Sequence, residues 1–297
     1  MLTFDEAQVR AVLRYDTLIP AMAEALTDLA AGRASQPVRT ILPVPEYSGL
    51  LGVMPAIYRD VMGAKLVTLY PANAERRLPT HQATIQLFHT SNGQPLAILD
   101  GRLITEMRTA AISALAVSHL ASPNAHTLAI IGSGVQARAH AAALHSVRLF
   151  DTIRLWSRTA AHAKRCAKDI GATVAKTAEA AVRGADVVVT VTHAPTPVVL
   201  GEWLLDSACV IAVGAVGPDR RELDTDAMRG SIIVDSRDAA LQESGDILLA
   251  NARIYGELGE VLTRSIPRPT RGPIVFKSLG LAIEDIAAAR LVYEAYR

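Results

Sequence analysis

The stretch LAIIGSGVQARAH, residues 128–140, constrains this chain most, because an apolar strand runs through two glycines into an alanine-rich helical pattern. Gly132, Gly134 and Ala137 form a G-x-G-x-x-A turn. The first glycine permits the tight turn, the second lets the backbone approach a pyrophosphate, and the small third residue keeps the helix close to the sheet. Ser133 lies between the glycines. The N–H groups around Val135 and Gln136 are unpaired at the helix start, where an anion would rest.

The surroundings support that reading. Apolar segments at 127–131, 153–157, 172–175, 186–191, 209–213 and 231–235 alternate with helical or connecting stretches. Several, such as DVVVTV, are apolar on both faces, as a parallel sheet covered by helices on each side requires. The expected fold class is therefore α/β, with a Rossmann-type dinucleotide-binding domain. The second strand, IRLWSRT, should end in an acid if the ligand is NAD, since a carboxylate there grips both ribose hydroxyls. Instead it ends in Ser157, Arg158 and Thr159, two hydroxyls and a cation suited to a phosphate. NADP(H) is the expected preference, with NAD(H) also admissible. Val191 and Thr192 after the fourth strand, and Val213 after the fifth, complete the expected cofactor-binding set.

The first 113 or so residues follow another pattern. Residues 3–31 look helical, with Thr3 and Glu6 as a capping box and a break near Pro20. Valines, isoleucines and glycines from Pro37 to Leu69 suggest strands, and 82–90 with 94–99 around SNG read as a hairpin. Thr105 to His119 returns to a helical pattern. The expected division is a separate α+β unit over 1–113 and a Rossmann domain over 114–275. By periodicity alone, the strand and long helix beyond it could complete either.

Half of the 297 residues are apolar and 30 basic residues face 29 acidic ones. Near-neutral charge argues against a nucleic-acid surface, and no apolar run is long enough to span a membrane. An acidic N-terminus and two cysteines, Cys166 and Cys209, suit a reducing cytoplasm. No histidine or carboxylate cluster suggests a metal. Only five residues are lysines, so Lys65 in GAKLVTLY, sharing a strand face with Val67 and Leu69, reads either as a snorkelling edge residue or as a group aimed at a ligand. Arg108 is unusual if Thr105 caps its helix, since a cation at the third helical position opposes the dipole. It calls for an anion, either Glu106 or another protein carboxylate, or a ligand. Arg39 in QPVRTILPVP is the third cation, and together the three would bind a small acid. His81 and His140 could titrate near neutrality.

RTILPVPEYSGLLGVMPA, GAKLVTLY, HQATIQLF, MRTAAISALA, IGSGVQARAH, LWSRT, GPDRRELD, VDSRDAALQESGDILL, YGELGEV and FKSLGLAIEDIAAARLVYEAY occur in order and resemble the ornithine cyclodeaminase and mu-crystallin family over about residues 35–297. The resemblance implies a homodimer in which residues 1–113 are the substrate and dimerisation domain, completed by residues 276–297 crossing back. It also implies that Arg39, Lys65 and Arg108 converge on a substrate carboxylate. Ketimine reduction follows as the leading expectation: NADPH reduces pyrroline-2-carboxylate or piperideine-2-carboxylate to L-proline or L-pipecolate. The alternatives are an amino-acid dehydrogenase or linear imino-acid reductase of alanine, arginine or iminosuccinate type, and a non-catalytic NADPH-binding protein. Val216 stands where cyclodeaminases of the family carry an acid, which disfavours cyclodeamination, since valine can neither accept a proton nor pair an ammonium. Gly217 replaces an arginine of the mu-crystallin pattern.

Overall fold

The computed structural model describes residues 1–297, which fall into two compact units, 1–108 with 281–297, and 109–280. The division lies within one long helix, a few residues before the boundary expected at 113.

The first unit is a seven-stranded sheet with helices. In chain order it comprises β1 (Leu2–Phe4), α1 (Glu6–Val12), α2 (Tyr15–Ala30), β2 (Ala34–Ser35), β3 (Thr40–Val44), β4 (Gly49–Tyr58), β5 (Val61–Leu69), β6 (His81–His89), β7 (Pro95–Asp100) and the start of α3 (Gly101–Leu120). The strand order is β1-β7-β6-β5-β4-β2, with β3 also on β4. Only β1 against β7 is parallel. Alternate residues of β6, Ala83, Ile85 and Leu87, are buried, as period-2 patterning demands. Against the last helix of the chain and the edge strand β2 lies α2, burying Leu18, Met22, Ala25 and Leu26 from one helical face.

Three local expectations are corrected. The N-terminal break falls at Leu13 and Arg14, while Pro20 sits inside α2. Asp5 and Gln8, not Thr3 and Glu6, form the capping box; Thr3 belongs to β1. Thr105 is no cap either: α3 begins at Gly101, and the Thr105 hydroxyl donates to the Gly101 carbonyl one turn back.

The second unit holds a parallel sheet of eight strands. Its elements are β8 (Thr127–Ile131), α4 (Val135–His145), β9 (Thr152–Trp156), α5 (Ala160–Ile170), β10 (Thr173–Val174), α6 (Ala178–Val182), β11 (Val187–Thr190), β12 (Cys209–Ala212), β13 (Ser231–Val234), α7 (Arg237–Glu243), α8 (Gly245–Leu248), β14 (Ile254–Glu257), α9 (Leu258–Leu262) and β15 (Ile274–Lys277). The order is β10-β9-β8-β11-β12-β15-β13-β14. β11 and β12 are wholly buried, which explains their unbroken apolar runs. Connections reverse direction between β8 and β11, and dinucleotides bind outside the carboxyl ends at such a point. The last helix, α10 (Ala282–Ala295), belongs to the first unit, where it packs on β4, β5 and β6. Cys166 and Cys209 are unpaired and buried. No helix is long and apolar enough to cross a membrane.

Candidate active site

The glycine turn of the second unit has the shape its sequence demands. Gly132 sits at φ +127°, and a Cβ there would come within 2.9 Å of the Val191 carbonyl, so only glycine fits between β8 and β11. Gly134 differs. It caps α4 at φ −78°, open to any residue, and a Cβ would meet nothing within 4 Å. Nothing in the fold requires glycine there. Its lack of a side chain leaves clear space in front of the first N–H groups of α4, at Val135 and Gln136, as a pyrophosphate requires. The turn therefore fits a dinucleotide.

Serine and arginine side chains stiffen the same turn. The Ser133 hydroxyl donates to Ser157 Oγ at 2.8 Å, joining the glycine turn to the end of β9. Arg138 donates from Nη1 to the carbonyls of Ser133 and Gly134, and its other nitrogens meet Asp169 of α5. Arg158 and Thr159 are exposed beyond Ser157. No carboxylate occupies the positions 157–159 at which an NAD site would present one.

Beneath the ends of β11 and β12 lies a charged cluster that the sequence reading missed. Glu222 is fully buried and accepts from the Thr190 and Thr192 hydroxyls and from the N–H groups of Thr192, Gly214 and Ala215. Burial pushes its carboxyl up, against the pull of Lys277 and the Thr192 bonds. Asp246 Oδ1 accepts from the N–H groups of Glu222 and Leu223, and Asp246 Oδ2 lies 2.9 Å from Lys277 Nζ. This cluster fixes the loops that begin with Val191, Thr192 and Val213. Gly217, in the following loop, adopts φ +121°. A side chain at that φ is strained, so the backbone here suits glycine.

In the first unit, two of the three candidate cations meet on one carboxylate. Lys65 of β5 and Arg108 of α3 are 1 % and 4 % exposed. Asp285 of α10 lies between them, with Oδ2 2.5 Å from Lys65 Nζ and Oδ1 accepting from Arg108 Nε at 2.9 Å. The Lys65 contact is an ion contact off the ideal hydrogen-bond direction. Glu284 accepts from Arg108 Nη1 at 2.9 Å. The dipole argument that singled out Arg108 is overturned, because it lies in the second turn of a helix starting at Gly101. Its need for an anion is nevertheless met, by Glu284 and Asp285. Glu106 is paired with Arg102.

Burial, opposed by Asp285 and reinforced by Arg108 and Arg39, pulls Lys65 down to about 8. Burial would raise Asp285, but Arg108 and Lys65 outweigh it and hold the carboxyl below its usual range. Burial and the nearby Lys65 and Arg108 push His81 down to about 4, so its imidazole is neutral at pH 7. Arg39, half-buried before β3, is close enough to act on Lys65. His140 falls outside this group. It is buried in α4, bonded to Ser113 Oγ at 2.9 Å and to the Gln136 carbonyl at 2.8 Å, a packed core histidine.

A doubly wound sheet with a dinucleotide turn, joined in one chain to a sheet unit carrying a buried lysine–arginine–carboxylate cluster, defines a two-unit dinucleotide-binding protein. The chain belongs to the ornithine cyclodeaminase/mu-crystallin family, whose model matches residues 2–297. It is 45% identical over 287 residues to the ketimine reductase mu-crystallin of Mus musculus, covering 94% of this chain and 92% of the relative. Among solved structures it is similar to the Thermococcus litoralis Delta(1)-pyrroline-2-carboxylate reductase in complex with NADH and L-proline. That match has TM-score 0.94 and 34% identity, over 99% of this chain and 97% of the other. It is also similar to an archaeal alanine dehydrogenase dimer with bound NAD, with TM-score 0.93 and 31% identity, over 99% and 95% of the two chains.

Proposed function

We propose that this protein reduces cyclic 2-imino acids, pyrroline-2-carboxylate or piperideine-2-carboxylate, to L-proline or L-pipecolate with NADPH as the preferred reductant. One observation carries the reading: a buried lysine with lowered proton affinity shares a carboxylate with a buried arginine, in a chain whose relatives include enzymes named for this chemistry. When bound, the reduced nicotinamide supplies the hydride that adds to the imine carbon.

The chain's own residues do the rest. Gly132, Ser133, Gly134, Val135 and Gln136 hold the pyrophosphate through backbone N–H groups, and Val191, Thr192 and Val213 line the strand ends. Ser157, Arg158 and Thr159 take the 2′-phosphate that distinguishes NADPH. Arg39 and Arg108 orient the substrate carboxylate by their charge, Arg108 with its Nε and Nη1 already given to Asp285 and Glu284. Lys65 holds a proton below about pH 8, and this proton keeps the imine nitrogen charged, the form that accepts hydride more readily.

The protein acts as a homodimer in the cytoplasm. Leu42, Ile57 and Leu66, exposed on one face of the first unit's sheet, supply an apolar surface for a second copy. Cyclodeamination is disfavoured by Val216, 38 % exposed in its loop and without a titratable group.

The deciding experiment is a substrate panel with NADPH and NADH. Both cyclic imines should be turned over without added ammonia, more efficiently with NADPH, and Arg158→Ala should lower the NADPH-to-NADH ratio of kcat/KM about tenfold, or about 1.4 kcal/mol. Turnover confined to a 2-oxo acid with free ammonia would instead assign an amino-acid dehydrogenase.

A further inference from the structure

The cations assigned to the substrate come from three separate segments, yet one turn of helix gathers all three. Asp285 and Glu284 lie in the first turn of α10, where carboxylates are favoured by the helix dipole. Asp285 gives one oxygen to Arg108 of α3 and the other to Lys65 of β5. Glu284 takes a second nitrogen of Arg108. The third segment is tied in through its backbone neighbour: Gln36 Oε1 accepts from the Ile283 N–H at 2.8 Å, three residues before Arg39.

We infer that the first turn of α10 is the positioning platform of the substrate site, with Asp285 holding Lys65 and Arg108 at fixed separation and Gln36 anchoring the Arg39 segment beside them. The inference rests on the reductase reading for its catalytic consequence, but not for its geometry.

Two arguments favour a platform over an ordinary structural ion pair. A buried ion cluster is a poor device for stability alone, because well-packed apolar residues of similar volume often serve equally well or better. The elements brought together are also those carrying the substrate residues, and α10 is rigidly seated, with Ile283, Ile286, Ala287 and Ala288 buried. The groups facing Lys65 are Asp285 from α10, Arg108 from α3, His81 from β6 and Arg39 from the segment before β3. Asp285 favours the ammonium form, both arginines oppose it, His81 is neutral, and the carboxylate of Glu284 beside Asp285 is bonded to Arg108. Burial is the larger influence on Lys65 and lowers its proton affinity, and Asp285 is the group that holds that affinity up against burial and the two arginines.

With only five lysines in the chain, carbon-13 labelling at lysine Cε resolves them individually by NMR, and Lys65→Met assigns the signal. In the full-length protein, Asp285→Asn should lower the Lys65 titration midpoint by one pH unit or more, whereas Asp285→Glu should keep it within half a unit of wild type. The alkaline limb of kcat should move with the midpoint, while NADPH affinity, read by fluorescence, changes less than twofold. An unshifted midpoint in folded Asp285→Asn overturns the platform even if imines are turned over. A midpoint shifted in Asp285→Asn, together with a wild-type protein that reduces no imine, keeps the platform and rejects the reductase reading. Should Asp285→Asn not fold, Gln36→Ala tests the other arm: KM for the imine should rise about tenfold, and an unchanged KM overturns the proposal.

Discussion

Lys277 Nζ lies 2.9 Å from Asp246 Oδ2, and neither side chain has any exposed surface. The lysine also donates to the Ala215 carbonyl at 2.6 Å, so it bridges the end of β15 to the loop after β12. Replacing it with methionine leaves Asp246 charged and uncompensated in the core, which should destabilise the protein by about 3–5 kcal/mol. Asp246→Asn in the same chain removes that charge while preserving the acceptor for Glu222 and Leu223, and should restore at least half of the loss. Chemical denaturation of the single and double variants checks both outcomes.

Lys65→Met should separate folding from turnover. Methionine fills a similar volume without the ammonium, so the dinucleotide turn, built wholly in the other unit, should bind NADPH within twofold of wild type. Imine reduction should fall by about 10²–10⁴-fold, the range expected for loss of a positioned proton-bearing group. Fluorescence titration and steady-state kinetics on one preparation measure the two quantities. Equal activity would remove Lys65 from the reaction.

The two glycines of the dinucleotide turn should respond in opposite ways. Gly132→Ala forces a Cβ against Val191 at φ +127°, and should destabilise the protein by about 1–3 kcal/mol through backbone strain alone. Gly134→Ala should leave the melting temperature almost unchanged, because its backbone is ordinary and its Cβ meets no protein atom. It should nonetheless weaken NADPH binding at least tenfold by occupying the space before α4. Thermal melts and fluorescence titrations would give this crossed pattern.

His140 supplies a pH test. Burial lowers it to about 4 in the folded chain, against an ordinary 6.5 for an exposed histidine. Between these values the unfolded chain binds the extra proton, so this residue's contribution is present above about pH 6.5 and is lost as pH falls towards 4. The slope approaches about 1.4 kcal/mol per pH unit. His140→Gln should therefore lose less stability than wild type between pH 7 and 5, as differential denaturation at the two pH values would register. His81 contributes in the same direction in both proteins and cancels from the comparison.

The parallel sheet was legible because its strands are apolar on both faces and its glycine turn has one geometric purpose. Lys65 was legible for a different reason: lysine is scarce here, and an ammonium inside GAKLVTLY needs a partner. The same argument applied to Lys277 in FKSLG would have found the second buried lysine. Glu284 and Asp285 were hidden because acids in a helix's first turn are ordinary dipole-favoured residues, and only the fold carries that turn to within 3 Å of Lys65 and Arg108. Glu222 was hidden by its neighbours, since an acid among the arginines of GPDRREL looks like surface charge. Arg108 was identified through a mistaken helix start, which shows that its need for an anion depended on burial and not on its position along the dipole.

The placement of α10 also has a consequence for how the protein is made. Residues 109–280 are continuous and can close their parallel sheet as they leave the ribosome, since domains tend to fold as units during synthesis. The unit begun by residues 1–108 must wait for all of them. Until α10 emerges, Lys65 and Arg108 lack Asp285 and Glu284, and the sheet lacks the helix that covers β4 to β6. The nascent chain therefore holds its earliest segment unfinished the longest, and ribosome stalling anywhere between residues 109 and 280 should leave that segment the preferred ground for chaperones and proteases.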